Sequence, residues 1–351
     1  MRKKRLLCYL FAVLGIVLLT SCQKNNKSEG KADDITYKKS KPYLELVAAQ
    51  YLDKEDKSKG VKIYYCLYSI EEGKMVMKEA LLPAKCYPVS CLDPKRNKIY
   101  YSASAGNDDY ENLFVYDIED RSSKQVTKEK MLYNDLFVVG DNLYANVATT
   151  GKTVTQPAVI ELDNYKFRYL NENDDDTWIF SFSYSFATND LLYLTCSDSG
   201  MRTRKVCEET FIRPKKIYSM DLDFSNRKLL YETDKYEICE TRQLDKDRLI
   251  IIYSDKMGTE KKLKIIELGT KKEYDLKTEG MKFDSIYPDS TGENVYIWGL
   301  KNEQYAIYEY SLKEDKIIKT LTKKELLGDE DNSVINFKYT MLDLRNMKTE
   351  H

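Results

Sequence analysis

Histidine is almost missing from this chain: among 351 residues the one His is His351, at the very end. Terminal residues are rarely tied down, so His-dependent general-base, triad and metal chemistry all lose their usual side chain. No Cys-x-x-Cys pair occurs, which removes the usual zinc signature. A Gly-x-Ser-x-Gly elbow and a Gly-rich phosphate loop are absent too. Carboxylates are plentiful, but nothing in the sequence singles out a pair spaced for glycoside chemistry. No catalytic residues, no metal and no cofactor are therefore assigned, and the expectation is a protein that is not an enzyme. Gly (14) and Pro (7) are sparse, whereas Tyr reaches 29. That composition suits half-buried pleated strands.

Long apolar runs are equally scarce. The one at the start, Leu6 to Leu19, has 14 residues, short of the roughly 20 that span a bilayer. It follows Arg2, Lys3, Lys4 and Arg5 and precedes Thr20, Ser21 and Cys22. This is the layout of an export signal. Leu19, Thr20, Ser21 and Cys22 resemble the bacterial lipobox, which implies lipidation of Cys22 and a mature chain held on the extracytoplasmic face of a cell membrane. An uncleaved N-terminal anchor is the alternative. Residues 1–21 are read as the signal peptide and 22–41 as the lipidated Cys plus a polar tether too poor in apolar side chains to fold. Residues 42–351 are read as one domain.

Losing residues 1–21 removes four positive charges and no negative ones, which takes the formal net charge from -1 to -5. The lysines are interleaved with acids, so a nucleic-acid partner is not expected. After the leader and Cys22, six cysteines remain. Cys196 and Cys207 flank a long loop and are the pair a disulfide would join, with unpaired thiols as the alternative.

A repeat organises the domain. Asp93-Pro94-Lys95-Arg96-Asn97 leads into Lys98 to Ser102, then a polar loop, Leu113 to Ile118 and Lys124 to Thr127. The pattern returns as Tyr287-Pro288-Asp289-Ser290-Thr291-Gly292, Asn294 to Ile297, Ala306 to Tyr310 and Ile318 to Thr322. Both stretches resemble the repeat of TolB-like propellers, itself WD-repeat-like, and the resemblance implies fold more than function. A third-strand core recurs at Leu67, Val115, Val159, Ile217, Ile265 and Ile307, at intervals of 42 to 58 residues. Six copies predict an all-β, six-bladed β-propeller, with seven blades or a β-sandwich as alternatives. Val334 to Leu344 has no copy after it and is expected to close the ring beside Tyr43 to Leu52, since an open ring would bare sheet edges.

Strand order sends the loops between second and third strands to the same face as the links between blades. That face is expected to carry Asp108, Asp109, Tyr110 and Glu111, the acidic run Glu172, Asp174, Asp175 and Asp176 with Trp178 after it, and the basic loop holding Arg202, Arg204, Lys205 and Arg213. These are the candidate binding residues, set against solvated turns that bind nothing. Trp298 is assigned to blade packing. The expected role is a monomeric, membrane-anchored lipoprotein whose propeller binds or scaffolds a protein, peptide or glycan. The alternatives are a carboxylate-based glycan hydrolase or lyase, and a sensor or assembly factor of a membrane complex.

Overall fold

The computed structural model describes residues 39–347 apart from 54, 57–60, 85–87, 105–110, 129–130, 150–153, 172, 198–214, 255–259, 279, 329–332 and 346. Cys22, the leader and most of the tether lie outside the described residues. So do Asp108, Asp109, Glu172, Arg202, Arg204, Lys205, Cys207 and Arg213.

Six four-stranded antiparallel sheets form the molecule. β1 (Lys41–Tyr51), β2 (Val61–Ser69) and β3 (Lys74–Ala84) are three strands of blade 1. Blade 2 is β4 (Ser90–Asp93), β5 (Lys98–Ala103), β6 (Asn112–Asp117) and β7 (Ser122–Gln125). Blade 3 is β8 (Met131–Val139), β9 (Asn142–Thr149), β10 (Gln156–Glu161) and β11 (Phe167–Tyr169). Blade 4 is β12 (Thr177–Ser185), β13 (Asp190–Ser197), β14 (Lys215–Met220) and β15 (Lys228–Thr233). Blade 5 is β16 (Glu237–Asp245), β17 (Arg248–Ser254), β18 (Lys261–Glu267) and β19 (Glu273–Asp275). Blade 6 is β20 (Met281–Pro288), β21 (Asn294–Lys301), β22 (Gln304–Ser311) and β23 (Lys316–Thr322). A short helix, α1 (Lys323–Leu327), follows, capped by a Thr322–Glu325 capping box.

The last strand, β24 (Ser333–Leu342), pairs with β1 in the register Lys41↔Leu342 to Ala49↔Ser333. It is the innermost strand of blade 1, so the two ends of the domain close the ring as the sequence predicts. Both ends also leave from one mouth of the channel, where β1 begins and β24 stops.

The second and third strands are apolar on both faces because each blade packs against a neighbour on either side. Leu249 to Ile252 are all fully buried. Six buried clusters result, one at each blade junction, including Leu44, Leu46, Ile307 and Phe337 between blades 6 and 1. The first-to-second turns explain the repeated Asp. Asp93 Oδ1 accepts from the N–H groups of Lys95 (3.0 Å) and Arg96 (3.2 Å), and Asn97 takes the left-handed conformation at φ 56°. Asp289 does the same for Thr291 at 3.1 Å, ahead of Gly292 at φ 69°. A Cβ on Gly292 would lie 2.2 Å from the Leu244 carbonyl oxygen, so this turn seats blade 6 on blade 5.

Candidate functional site: the central channel

The innermost strands line the channel, and five of the six break their pleat. In β8, β16, β20 and β24 an extra residue is inserted at Asn134, Cys239, Asp284 and Ile335, and β16 has a second at Leu244. The residues after the first four are Asp135, Glu240, Ser285 and Asn336, and all four line the channel. In β12 the irregularity falls at Ser181 and Phe182, with Ser181 at φ 54°. β-Bulges re-aim side chains in this way, and a left-handed Ser is a strained conformation that its surroundings must hold.

What holds Ser181 is Arg242. Its Nη1 donates to Ser181 Oγ at 2.9 Å and to the Thr241 carbonyl at 2.7 Å, and its Nη2 meets Glu240 Oε1 at 2.7 Å. The guanidinium lies 4.2 Å from the centroid of the Tyr287 ring. Glu240 Oε1 also accepts from Ser285 Oγ at 2.8 Å. Arg242 and Glu240 are only 5% and 9% exposed, so this is an ion pair held in a dry environment. Burial weakens its charge, but Tyr287, Glu240 and Asp135 outweigh that and keep Arg242 protonated. Burial pushes the Glu240 carboxyl up against the pull of Arg242. The same desolvation takes Asp135 up to about 6, although Arg242, the Phe182 N–H and Asn146 Nδ2 all favour its charged form.

Asp135, Arg242, Tyr287 and Asn336 are shared by two cavities, each of about 660 Å³, one toward each mouth. This cluster, of which Arg242 is buried and the others half-buried, is thus the common floor of two cups. The first opens at the mouth where the chain ends emerge, among Lys39, Asp93, Phe186, Asp289 and Arg345. The second opens on the face of the blade links, among Asp284, Trp298, Tyr305, Lys323 and Ser333.

The fold is a TolB-like propeller. It is similar to TolB from Acinetobacter baumannii at 13% identity and a TM-score of 0.57, over 85% of this chain and 66% of that one. A putative TolB from Agrobacterium tumefaciens gives 10% and 0.51, over 88% and 93%. A chain of a nidogen/laminin complex gives 10% and 0.53, over 84% and 98%. The chain spans just under two thirds of the length of the first. At these identities the likeness is one of fold. No protein-family model and no curated protein matches the chain.

Of the binding residues expected from sequence, Glu111, Asp174, Asp175, Asp176 and Trp178 fall among the described residues. Glu111 is 1% exposed and bridges to Met131, the first residue of β8, through both backbone groups, so it is buried where blades 2 and 3 join at the face of the blade links. Asp174 caps a turn, its Oδ1 accepting from the N–H groups of Asp176 and Thr177 at 2.8 Å each. Partial burial would raise its pKa, but the bonds from Thr177 and Asp176 prevail and lower it. Asp176 Oδ2 accepts from Ser197 Oγ at 2.6 Å, which joins the acidic link to the root of the long loop. The acidic link and that root therefore share one rim, as strand order requires. Trp178 sits on the same rim, half-buried, 6.3 Å from Phe180, and does not line the cavity. Trp298 does, in addition to packing against the blade 6 and blade 1 junction. Among the described residues no group of three or more His, Cys, Asp or Glu could hold a metal ion, and no helix is long and apolar enough to cross a membrane. Cys196 is buried in β13, and its suspected partner Cys207 lies outside the described residues.

Proposed function

We propose that this is a lipid-anchored extracytoplasmic lipoprotein, attached through Cys22, whose propeller is a monomeric binding module for a protein, peptide or glycan. One observation carries the binding reading. Arg242, Glu240, Tyr287 and Asp135 divide the channel into two cups, each large enough for a small ligand or the end of a larger one. A cup with a rigid polar floor recognises an end and does not thread a chain through. The test is thermal denaturation of the full-length protein with fractionated components of its native envelope. A ligand raises Tm with the logarithm of its concentration above Kd, and Trp298→Ala with Tyr305→Ala, or Asp289→Ala with Arg345→Ala, should remove the shift from one cup or the other. If no fraction shifts Tm in either cup, the reading fails.

A second reading is a carboxylate-based glycan hydrolase or lyase. It is favoured by Asp135, a half-buried carboxyl on the channel held up to about 6 by desolvation. Against it, the charged partner of Asp135 is already committed to Glu240, and Glu240 is engaged by Arg242 and Ser285. Product formation from an envelope glycan, abolished by Asp135→Asn with binding retained, would establish the second reading over the first.

A further inference from the structure

The two cups differ in how their aromatic side chains are presented. Toward the mouth with the chain ends, Phe137 and Phe182 pack on each other at 5.2 Å, and Phe186 meets Tyr184 and Tyr339 edge-on at 5.2 and 6.2 Å. Those rings are spent on protein contacts. On the blade-link side, Trp298 and Tyr305 lie 5.5 Å apart at 33°, and Tyr305 is 42% exposed. Trp298 is backed by the core between blades 6 and 1, so it is fixed from behind with its outer side on the cavity.

Polar groups ring this platform. Asp284 is pushed toward it by its bulge, and Ser285, Ser333 and Asn336 line the same cavity. Gly299 makes the arrangement possible. A Cβ there would lie 2.2 Å from the Lys282 carbonyl oxygen, so only Gly lets β20 approach β21 just before the bulge. Carboxyls exceed cations by one: Asp135, Asp284 and Glu240 share the cavity with Lys323 and Arg242, and Arg242 is already paired with Glu240.

Resting on the binding-module reading, we propose that this cup is a saccharide site, and that its ligand is the end of a neutral glycan. The C–H face of a pyranose covers the Trp298 and Tyr305 rings. Its hydroxyl groups, which donate and accept, meet the carboxylate of Asp284, the hydroxyls of Ser285 and Ser333 and the amide of Asn336. A uronic acid would face Asp135, Asp284 and Glu240, and an amino sugar cation would face Lys323 and Arg242. Either charge gives up its water on entering without a free partner of opposite sign to match it, whereas an uncharged sugar loses nothing there.

The chain has two tryptophans, Trp178 and Trp298, which makes the test direct. The full-length protein in detergent micelles is titrated with neutral hexasaccharides of glucose, xylose and mannose, with uronate hexasaccharides and with a peptide library, following Trp emission. A neutral saccharide is expected to shift emission in the wild type and in Trp178→Phe, but not in Trp298→Phe. Tyr305→Ala, at an exposed position where the fold is not at risk, should weaken the same saccharide about tenfold. Silence with every neutral saccharide, or a shift that survives Trp298→Phe and disappears in Trp178→Phe, overturns the site. A Trp298-borne shift given by peptides or uronates alone overturns the neutral-glycan assignment while leaving the binding module standing.

Discussion

Lys338 of the closing strand faces Glu45 of β1 in the register that shuts the ring, and both side chains reach out of their own blade. Lys338 Nζ donates to the carbonyls of Ser90 in blade 2 and Leu136 in blade 3, the latter at 2.5 Å. Glu45 Oε2 accepts from the Leu92 N–H of blade 2 at 2.9 Å and from Tyr65 OH at 3.0 Å. Closure is therefore stitched across three blades. Lys338→Met should cost about 2–4 kcal/mol, because it removes charged hydrogen bonds and strands two carbonyls. Urea denaturation measures it, and a loss under about 0.5 kcal/mol would show that the stitch is ornamental.

Deleting residues 334–351 removes β24 and bares the inner edge of β1. The expected outcome is loss of cooperative unfolding for the whole domain, not local fraying, since six junctions depend on a closed ring. A truncated protein that still melts in one sharp transition at the original temperature would refute this.

Arg242→Met should destabilise by about 3–5 kcal/mol by leaving Glu240 buried without its cation. Adding Glu240→Gln to that variant should recover most of the loss. The double-mutant cycle decides: additive effects would mean that the two groups do not act as a pair.

Asp135 sets a pH dependence of unusual sign. Its folded pKa of about 6 lies above the 3.8 of an unperturbed Asp, so between those values the native state binds more protons than the unfolded one. Stability contributed at this site is full below about pH 4 and is lost as pH rises through 6, by up to roughly 3 kcal/mol. Asp135→Asn should flatten that slope. Parallel stability curves for the two proteins between pH 4 and 7 would contradict it.

Cys22→Ala should abolish palmitate labelling and membrane attachment while leaving the near-ultraviolet circular dichroism unchanged, because β1 starts only at Lys41. A variant that still labels would end the lipoprotein reading.

The blades were legible because their spacing is carried by the third strands and by Asp-led turns, both local features. Ring closure was legible because Val334 to Leu344 had no partner in the repeat. The channel floor was not singled out in advance, yet its trace is in the sequence. Buried apolar positions in the inner strands step by three where a regular strand steps by two: Tyr133 and Leu136, Ile179 and Phe182, Phe283 and Ile286, Val334 and Phe337. That slip is the bulge, and a polar residue falls inside each. Arg242 acts on Asp135 only because the inner strands of blades 3 and 5 border one channel, which no local pattern encodes. The burial of Glu111 was not legible, because it comes from the backbone bridge to Met131 across a blade junction.

The shared exit of the two chain ends gives the molecule a ground side. If Cys22 is anchored, 18 residues from Gln23 to Ser40 separate the lipid from the start of β1. β1, with 11 residues, is about 37 Å tall. The link to the lipid joins the propeller at the near end of that height, and the blade-link face lies at the far end. That face, with Trp298 and Tyr305, then looks away from the membrane. The cup beside Lys39 and Arg345 looks down at the bilayer, so whatever enters it must come from beneath.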